Sequence, residues 1–344
     1  MISVIGAGPA GCFYSSKAKD DVRIFEEHPE VGKPVACTGI LTDSVRQVTP
    51  IKRDLIVSKI RKFKIVSPDG RSIYIDLKKT DLVIDRARFD QHLMALAINK
   101  GARLHLGERF LGYRKKGKSY MIKTNKGSYE TDMIVGADGP RSPVAKAADI
   151  YEKRQFIKGW QARCRCRDLE EGVTTIHLNL GEFSWIVPED DKIARVGVLG
   201  ANSPKLRRDY ARLTGKNKIL EDQSGIIPLY NPKQKLRKGR ENVFLIGDAA
   251  TQVKATTYGG IIYGLIAGSY LAENKDTYVK SWNKKLAKDL WVSLKMRTMM
   301  NRMSEKQSNE LLEIFKKKHN LDVLSRYSRD FPSKILVQLL MKET

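Results

Sequence analysis

Gly6, Gly8 and Gly11, with Ala7, Pro9 and Ala10 between them, stand in the spacing Gly-x-Gly-x-x-Gly directly after the apolar run Ile2–Ile5. Glycines so placed allow a tight strand-to-helix turn and let backbone N–H groups at a helix start approach a pyrophosphate. An acidic pair, Glu26 and Glu27, follows a second short apolar run (Val22, Ile24, Phe25). Glu26 falls at the distance where a carboxylate takes hydrogen bonds from a ribose. Two later segments share a design: Met133-Ile-Val-Gly-Ala-Asp138-Gly139 and Val243-Phe-Leu-Ile-Gly247-Asp248 each run from an apolar strand into an Asp beside a Gly. One glycine triplet alone is a weak signal, whereas the ordered set of three is strong. The set fits FAD, with the second and third segments closing over the phosphates and the ribityl chain. No flavin-attachment motif is evident, so the cofactor is expected to be noncovalent.

The elements that must position these residues read as an α/β chain with a Rossmann-type FAD-binding domain that is discontinuous in sequence. Residues 1–55, 80–150 and 239–275 are expected to form it. Residues 56–79 and 151–238 read as a β-rich substrate domain, an inserted antiparallel sheet, and 276–344 as a helical C-terminal segment. A β-hairpin is predicted around Pro68-Asp69-Gly70, flanked by alternating Ile60, Phe63, Ile65 and Ile73, Ile75. A helix follows Asp85, with Phe89, Leu93, Leu96 and Ala97 at helical spacing and Gly101 as its C-cap. Strands are predicted at 159–165, 173–180, 183–187 and 193–199. Past residue 273, Tyr278, Trp282, Leu286 and Leu290 recur at four-residue steps. Gly197 and Gly200 follow a strand with no helix pattern after them, which argues against a dedicated nicotinamide fold.

At 344 residues the chain is long enough for a two-lobed enzyme with a full core. Cys12, Cys37, Cys164 and Cys166 form no regular framework, which points to a reducing cytosol rather than a disulfide scaffold. Met1 leads straight into the first strand, against a signal peptide. The longest nearly apolar run, 258–272, is shorter than the roughly 20 residues a membrane span needs and reads as a buried helix. The net charge of +24 leaves three readings open: a solvated basic surface, attraction to an anionic membrane, or nucleic-acid binding. The basic clusters at 115–118, 205–208, 233–240 and 316–318 accompany no nucleic-acid module, which disfavours the last.

Three further motifs carry a resemblance to a known family. They are Gly32-Lys-Pro34-Val-Ala-Cys37-Thr-Gly39-Ile-Leu41, then Phe183-Ser-Trp185-Ile-Val-Pro188, then the run from Gly247 through Thr256 and Tyr258 to Gly259-Gly260-Ile261. Together with the FAD segments they resemble the geranylgeranyl reductases, flavoproteins of the para-hydroxybenzoate hydroxylase fold, from Met1 to about Trp282. The resemblance implies that Cys37 and Gly39 lie in a loop beside the flavin. It implies that Phe183, Trp185 and Pro188, with Tyr258, line a prenyl pocket. It also implies that Gly247, Asp248, Gly259, Gly260 and Ile261 surround the isoalloxazine, and that Arg86, in Asp-Arg-x-x-Phe-Asp, reaches the FAD. The chain departs from the family at Thr251 and Tyr258, where Gly is usual, and at Ala255, where Pro is usual; the larger residues bear on pocket size and substrate identity.

The implied reaction saturates C=C bonds of geranylgeranyl chains on a glycerolipid or a prenyl diphosphate. Hydride delivery to one carbon requires a proton for the other, and Cys37 is the candidate catalytic group that relays it or orients the alkene. Against this stands the plainer reading of Cys37 as a small packed side chain beside a turn. Cys164 and Cys166 alternate with arginines on one strand and read as core, with no zinc-spaced cluster anywhere in the sequence. A monooxygenase or halogenase on the same fold is the runner-up, and a redox-silent lipid-binding scaffold is the alternative of another class. The expected partners are an isoprenoid lipid, an external electron donor such as NAD(P)H or ferredoxin, and an anionic membrane. The expected location is cytoplasmic, peripheral at the inner face of the cell membrane.

Overall fold

The structure is a computed structural model that describes residues 1–341. The chain divides into two compact units. The first comprises Met1–Val35, Arg86–Gln155 and Pro228–Trp291, and the second comprises Ala36–Asp85, Phe156–Ile227 and the chain from Val292 onward.

A five-stranded parallel sheet organises the first unit, in the order Val243–Leu245, Met133–Gly136, Ile2–Ile5, Val22–Phe25, Arg103–His105. The three strands at the Val243 end are buried along their whole length, as parallel strands covered on both faces must be, and their sequences are accordingly near-continuous apolar runs. The Pro9–Lys17 helix follows the central strand and packs against two others, Arg86–Asn99 and Ile261–Glu273. Phe89, Leu93, Met94 and Ala97 form the inward stripe of the Arg86–Asn99 helix, and Gly101 just beyond it has φ +92°. The apolar run read as a buried helix is the Ile261–Glu273 helix. Gly264 and Gly268 let it lie close on Pro9–Lys17, because a Cβ at either would come within 3.2–3.3 Å of Ala10. A three-stranded antiparallel sheet, Phe110–Lys116, Ser119–Thr124 and Ser128–Thr131, completes the unit.

The second unit is built on an eight-stranded sheet. Its order is Lys218–Pro228, Phe156–Arg165, Ile193–Gly200, Phe183–Pro188, Val173–His177, Ile56–Val66, Ser72–Ile84, Ile40–Leu41. The predicted hairpin is there, Ile56–Val66 against Ser72–Ile84, and Val173–His177 joins it by a parallel pairing. Cys164 and Cys166 are buried with Ala162, Ala194 and Val196. Two elements escaped the sequence patterns. The Ser203–Thr214 helix buries only Leu206 and Thr214, and Lys218–Pro228 is a charged, largely exposed edge strand without apolar alternation.

The helical region does not run as one element. It divides into Tyr278–Lys285 and Ala287–Met300, and the chain passes from one unit to the other between Trp291 and Val292. Tyr278, Trp282, Leu286 and Leu290 are nonetheless all buried, as their four-residue spacing implied. The helices Glu305–Lys316, Lys318–Arg326 and Pro332–Leu340 follow. Asp330 in the last connection accepts from the hydroxyls of Thr42 and Ser44, and Arg329 pairs with Asp81, which tie this tail to the second unit's sheet. Of the segment expected at 276–344, residues 342–344 lie outside the described residues. Among the described residues no helix is long and apolar enough to cross a membrane.

Candidate functional site

Parallel pairing puts the carboxyl ends of neighbouring strands on one edge of the first unit's sheet. Gly6–Gly11 leaves the central strand there, Glu26 leaves the next, and Asp138-Gly139 and Gly247-Asp248 leave the two on the other side. Four segments scattered over more than two hundred residues of sequence are thereby collected at the edge where open α/β sheets bind ligands. Gly11 is obligatory for packing, since a Cβ would stand 2.2 Å from the Gly6 carbonyl oxygen. Gly8 is different: nothing lies within 4 Å of where its Cβ would be, so the helix start beside it opens onto free space. Neither the Pro9–Lys17 helix nor the Ile261–Glu273 helix has a side-chain N-cap. Two helix starts therefore offer backbone N–H groups to an anion.

The carboxylates have partners of their own. Glu26 accepts from the backbone of Ala7 (2.8 Å) through Oε2, and from the backbone (2.9 Å) and Nδ1 (2.6 Å) of His28 through Oε1. It thus fastens the glycine loop to the end of the second strand, and its neighbour Glu27 is exposed. Asp138 accepts from the Ser142 hydroxyl and the Val144 amide, both at 2.7 Å, and so caps the short Pro143–Ala147 helix. Removal from solvent pushes the carboxyls of Asp138 and Asp248 each up to about 6; hydrogen bonds from Ser142 and Val144 oppose this at Asp138, and the charges of Arg86 and Arg154 oppose it at Asp248. Arg86 grips Asp90 one turn on through two bonds, at 3.0 and 3.2 Å.

Arg154 and Gln252, which were not among the candidate site residues, hold the Gly247–Ala250 turn, and Lys254 lies buried just after it. Arg154, buried, donates to the carbonyls of Pro140 and Ala249 at 3.1 Å and to Gln234 at 2.6 Å, joining the Asp138-Gly139 segment to the Gly247-Asp248 segment. Gln252 accepts from the Gly247 amide at 2.7 Å and donates to Tyr278, whose hydroxyl donates to the Leu245 carbonyl at 2.7 Å. Lys254 is only 2% exposed and pairs through its backbone with Gly259. The departures at 251 and 258 have a conformational side as well. Thr251 (φ +55°) and Tyr258 (φ +54°) both adopt the left-handed backbone that glycine takes at no steric cost. Asp248 Oδ1 stands 3.0 Å from where a Cβ on Gly260 would be, so the carboxylate lies against the start of the Ile261–Glu273 helix. The first unit's loops fit the charged groups of a flavin cofactor: open space beside Gly8, two uncapped helix starts, and carboxylates at the strand ends.

The second unit carries the remaining candidates. Cys37 is partly exposed, and its sulfur accepts from the Gly39 amide at 3.3 Å, where Gly39 has φ +76°. Arg195 holds this loop by donating to the carbonyls of Thr38 and Ile84, and is itself held by Glu189 at 2.8 Å. Phe183 and Trp185 share a face, with ring centroids 5.9 Å apart. Trp185 and Pro188 are buried, while Phe183 is half-buried.

No family model matches the chain. It is similar over most of its length to curated proteins named digeranylgeranylglycerophospholipid reductase. That of Methanococcus aeolicus is 26% identical, with 91% of this chain and 89% of the relative covered. That of Methanothrix thermoacetophila is 28% identical, with 90% of each covered. Among solved structures, a geranylgeranyl bacteriochlorophyll reductase-like protein from Thermoplasma acidophilum superimposes with a TM-score of 0.85 at 20% identity, covering 99% of this chain and 96% of that one. A p-nitrophenol 4-monooxygenase from Pseudomonas putida superimposes with a TM-score of 0.68 at 14% identity, covering 100% and 98%. The α/β fold is thus one that prenyl reductase-like proteins and flavin monooxygenases share, and the resemblance to the geranylgeranyl reductase family carried by the motifs is borne out along nearly the whole chain.

Proposed function

We propose that this chain is an FAD-dependent reductase that saturates C=C bonds in the geranylgeranyl chains of an isoprenoid glycerolipid. One observation supports the reading above the others: the likeness to named prenyl-lipid reductases covers about nine-tenths of both chains, and so takes in both units rather than the flavin lobe alone. A bound flavin would supply the hydride. The chain's own residues have the following parts. The amides at the start of the Pro9–Lys17 helix bind the diphosphate, and Glu26 orients the adenosine ribose. Asp248, beside the start of the Ile261–Glu273 helix, positions the ribityl–phosphate junction. Arg86, Asp138, Gly139, Gly259, Gly260 and Ile261 complete the FAD contacts. Cys37 moves the proton that accompanies hydride addition, or holds the alkene for it. Phe183, Trp185, Pro188 and Tyr258 supply apolar surface for a prenyl chain, whose burial removes hydrocarbon from water.

An external donor reduces the flavin, and the substrate's long chains place the enzyme's work at a lipid surface, peripheral to the cytoplasmic face of the membrane. The test is product mass: incubation of the reduced protein with a digeranylgeranyl glycerolipid gives species heavier by two hydrogens for each bond saturated. Transfer of oxygen or halogen instead would overturn the reading in favour of a monooxygenase or halogenase.

A further inference from the structure

The Pro332–Leu340 helix has two apolar faces. Pro332 and Ile335 are buried within the second unit, whereas Leu336, Val337 and Leu340, with Met341 directly after, recur one and four residues apart on the outer face. Val337 is 53% exposed, Leu340 74% and Met341 56%. A contiguous apolar strip of this kind marks a surface that something covers. Basic charge lies beside it. His319 Nε2 donates to the Gln338 carbonyl at 2.9 Å, which brings the exposed run Lys316-Lys317-Lys318 against this helix. Two acids flanking these lysines are already paired: Glu313 with Arg71 and Lys316, and Asp322 with Arg326. Lys317, Lys318 and Lys334 enter no ion pair among the described residues. The segment is also firmly held, through the bonds of Asp330 to Thr42 and Ser44 just ahead of it.

We infer that the Pro332–Leu340 helix is the element that docks on an anionic lipid bilayer, its outer strip entering the acyl-chain boundary while Lys317, Lys318 and Lys334 meet head-group phosphates. Nine residues at about 1.5 Å each make a helix of roughly 14 Å, far too short to span a bilayer but suited to lying in its interface. A second copy of the chain is a poorer occupant. A two-fold contact would set this strip against itself and bring the same lysines together. The inference deepens the proposed function, resting on it only for why a lipid surface should matter to the enzyme.

The experiment is flotation of the intact protein with vesicles of phosphatidylcholine alone and of phosphatidylcholine mixed with phosphatidylglycerol, at low and high salt. Wild type should float with the mixed vesicles and less so as salt rises. The V337Q/L340Q variant should lose about tenfold or more in partitioning, and K317Q/K318Q should weaken binding chiefly at low salt. Both variants alter exposed residues, so their unfolding midpoints and their turnover of detergent-dispersed substrate should match wild type. Unchanged flotation of V337Q/L340Q would overturn the assignment of this helix while leaving a peripheral enzyme intact. Equal binding to neutral and mixed vesicles would overturn the role of the lysines, and no flotation of wild type would overturn the docking altogether. A concentration-dependent dimer that V337Q/L340Q abolishes would show a second copy as the occupant and overturn the inference. Flotation without reductase activity would sink the proposed function and leave the docking helix standing.

Discussion

The indole of Trp185 lies across Gly197, its directly opposed partner on the neighbouring strand, and reaches past it to donate to Gln161 Oε1 at 3.0 Å on the strand beyond. Gln161 is itself the register partner of Gly197 from the other side. One glycine in the middle strand thus gives a large aromatic ring room to span three strands and satisfy its only polar atom.

A methyl group at position 197 would stand 2.3 Å from the indole carbon Cζ2. Gly197→Ala should therefore displace a buried ring and cost about 1–3 kcal/mol of stability, read as a lowered denaturation midpoint. The Trp185 fluorescence should shift as the N–H leaves Gln161. An unchanged midpoint would show that the ring has somewhere else to go.

The two helix-start glycines should separate folding from binding. Gly11→Ala drives a methyl to within 2.2 Å of the Gly6 carbonyl oxygen and should destabilise the protein outright. Gly8→Ala meets nothing within 4 Å and has an ordinary φ of −72°, so thermal stability of the flavin-free protein should hold. The added methyl then sits where a diphosphate must approach, and FAD affinity should fall by about tenfold or more, near 1.4 kcal/mol. Retained affinity in Gly8→Ala would place the cofactor elsewhere.

The raised carboxyls of Asp138 and Asp248 fix a sign for pH dependence. In the folded protein each holds its proton up to about 6, above the usual carboxylate range that applies when the chain is unfolded. Folding then binds protons, so stability from these groups is full at low pH and is lost as pH rises from about 4 through about 6. Asp248→Asn removes one such group. Its stability relative to wild type should increase as pH rises from about 4 through about 6 in flavin-free protein, by thermal scans at constant ionic strength. A difference flat with pH would mean that Asp248 ionises normally.

Cys37→Ala and Cys37→Ser distinguish chemistry from packing. If the thiol relays a proton, both should retain flavin, and Cys37→Ala should reoxidise with alkene at least about tenfold more slowly. The serine variant should recover part of the rate with an altered pH profile. Loss of flavin from both variants would instead mark Cys37 as a structural residue of its loop.

The carboxyl edge of the first unit's sheet was legible in the sequence because each part of it is local: a strand followed within a few residues by a glycine turn or an acid. Alternation likewise exposed the hairpin around Asp69 and the core position of Cys164 and Cys166. The residues that were illegible act over distance. Arg154 matters because it ties Pro140 to Ala249, and nothing in its own neighbourhood of sequence announces that. Arg195 holds the Thr38 carbonyl from a strand that is remote in the chain. The edge strand Lys218–Pro228 was hidden for another reason, since its first half, exposed on both faces, needs no apolar alternation. The break near Leu286 was hidden because the four-residue apolar step continues unbroken across it.

Anaerobic reoxidation of the reduced flavin by a digeranylgeranyl glycerolipid decides whether the protein is a prenyl-lipid reductase. A reductase returns the oxidised flavin absorbance at a rate that rises with lipid concentration, with product gaining two hydrogens per bond, and shows no reoxidation by the fully saturated lipid. A reduced flavin that persists with the unsaturated lipid yet is discharged at once by oxygen would contradict the proposed function.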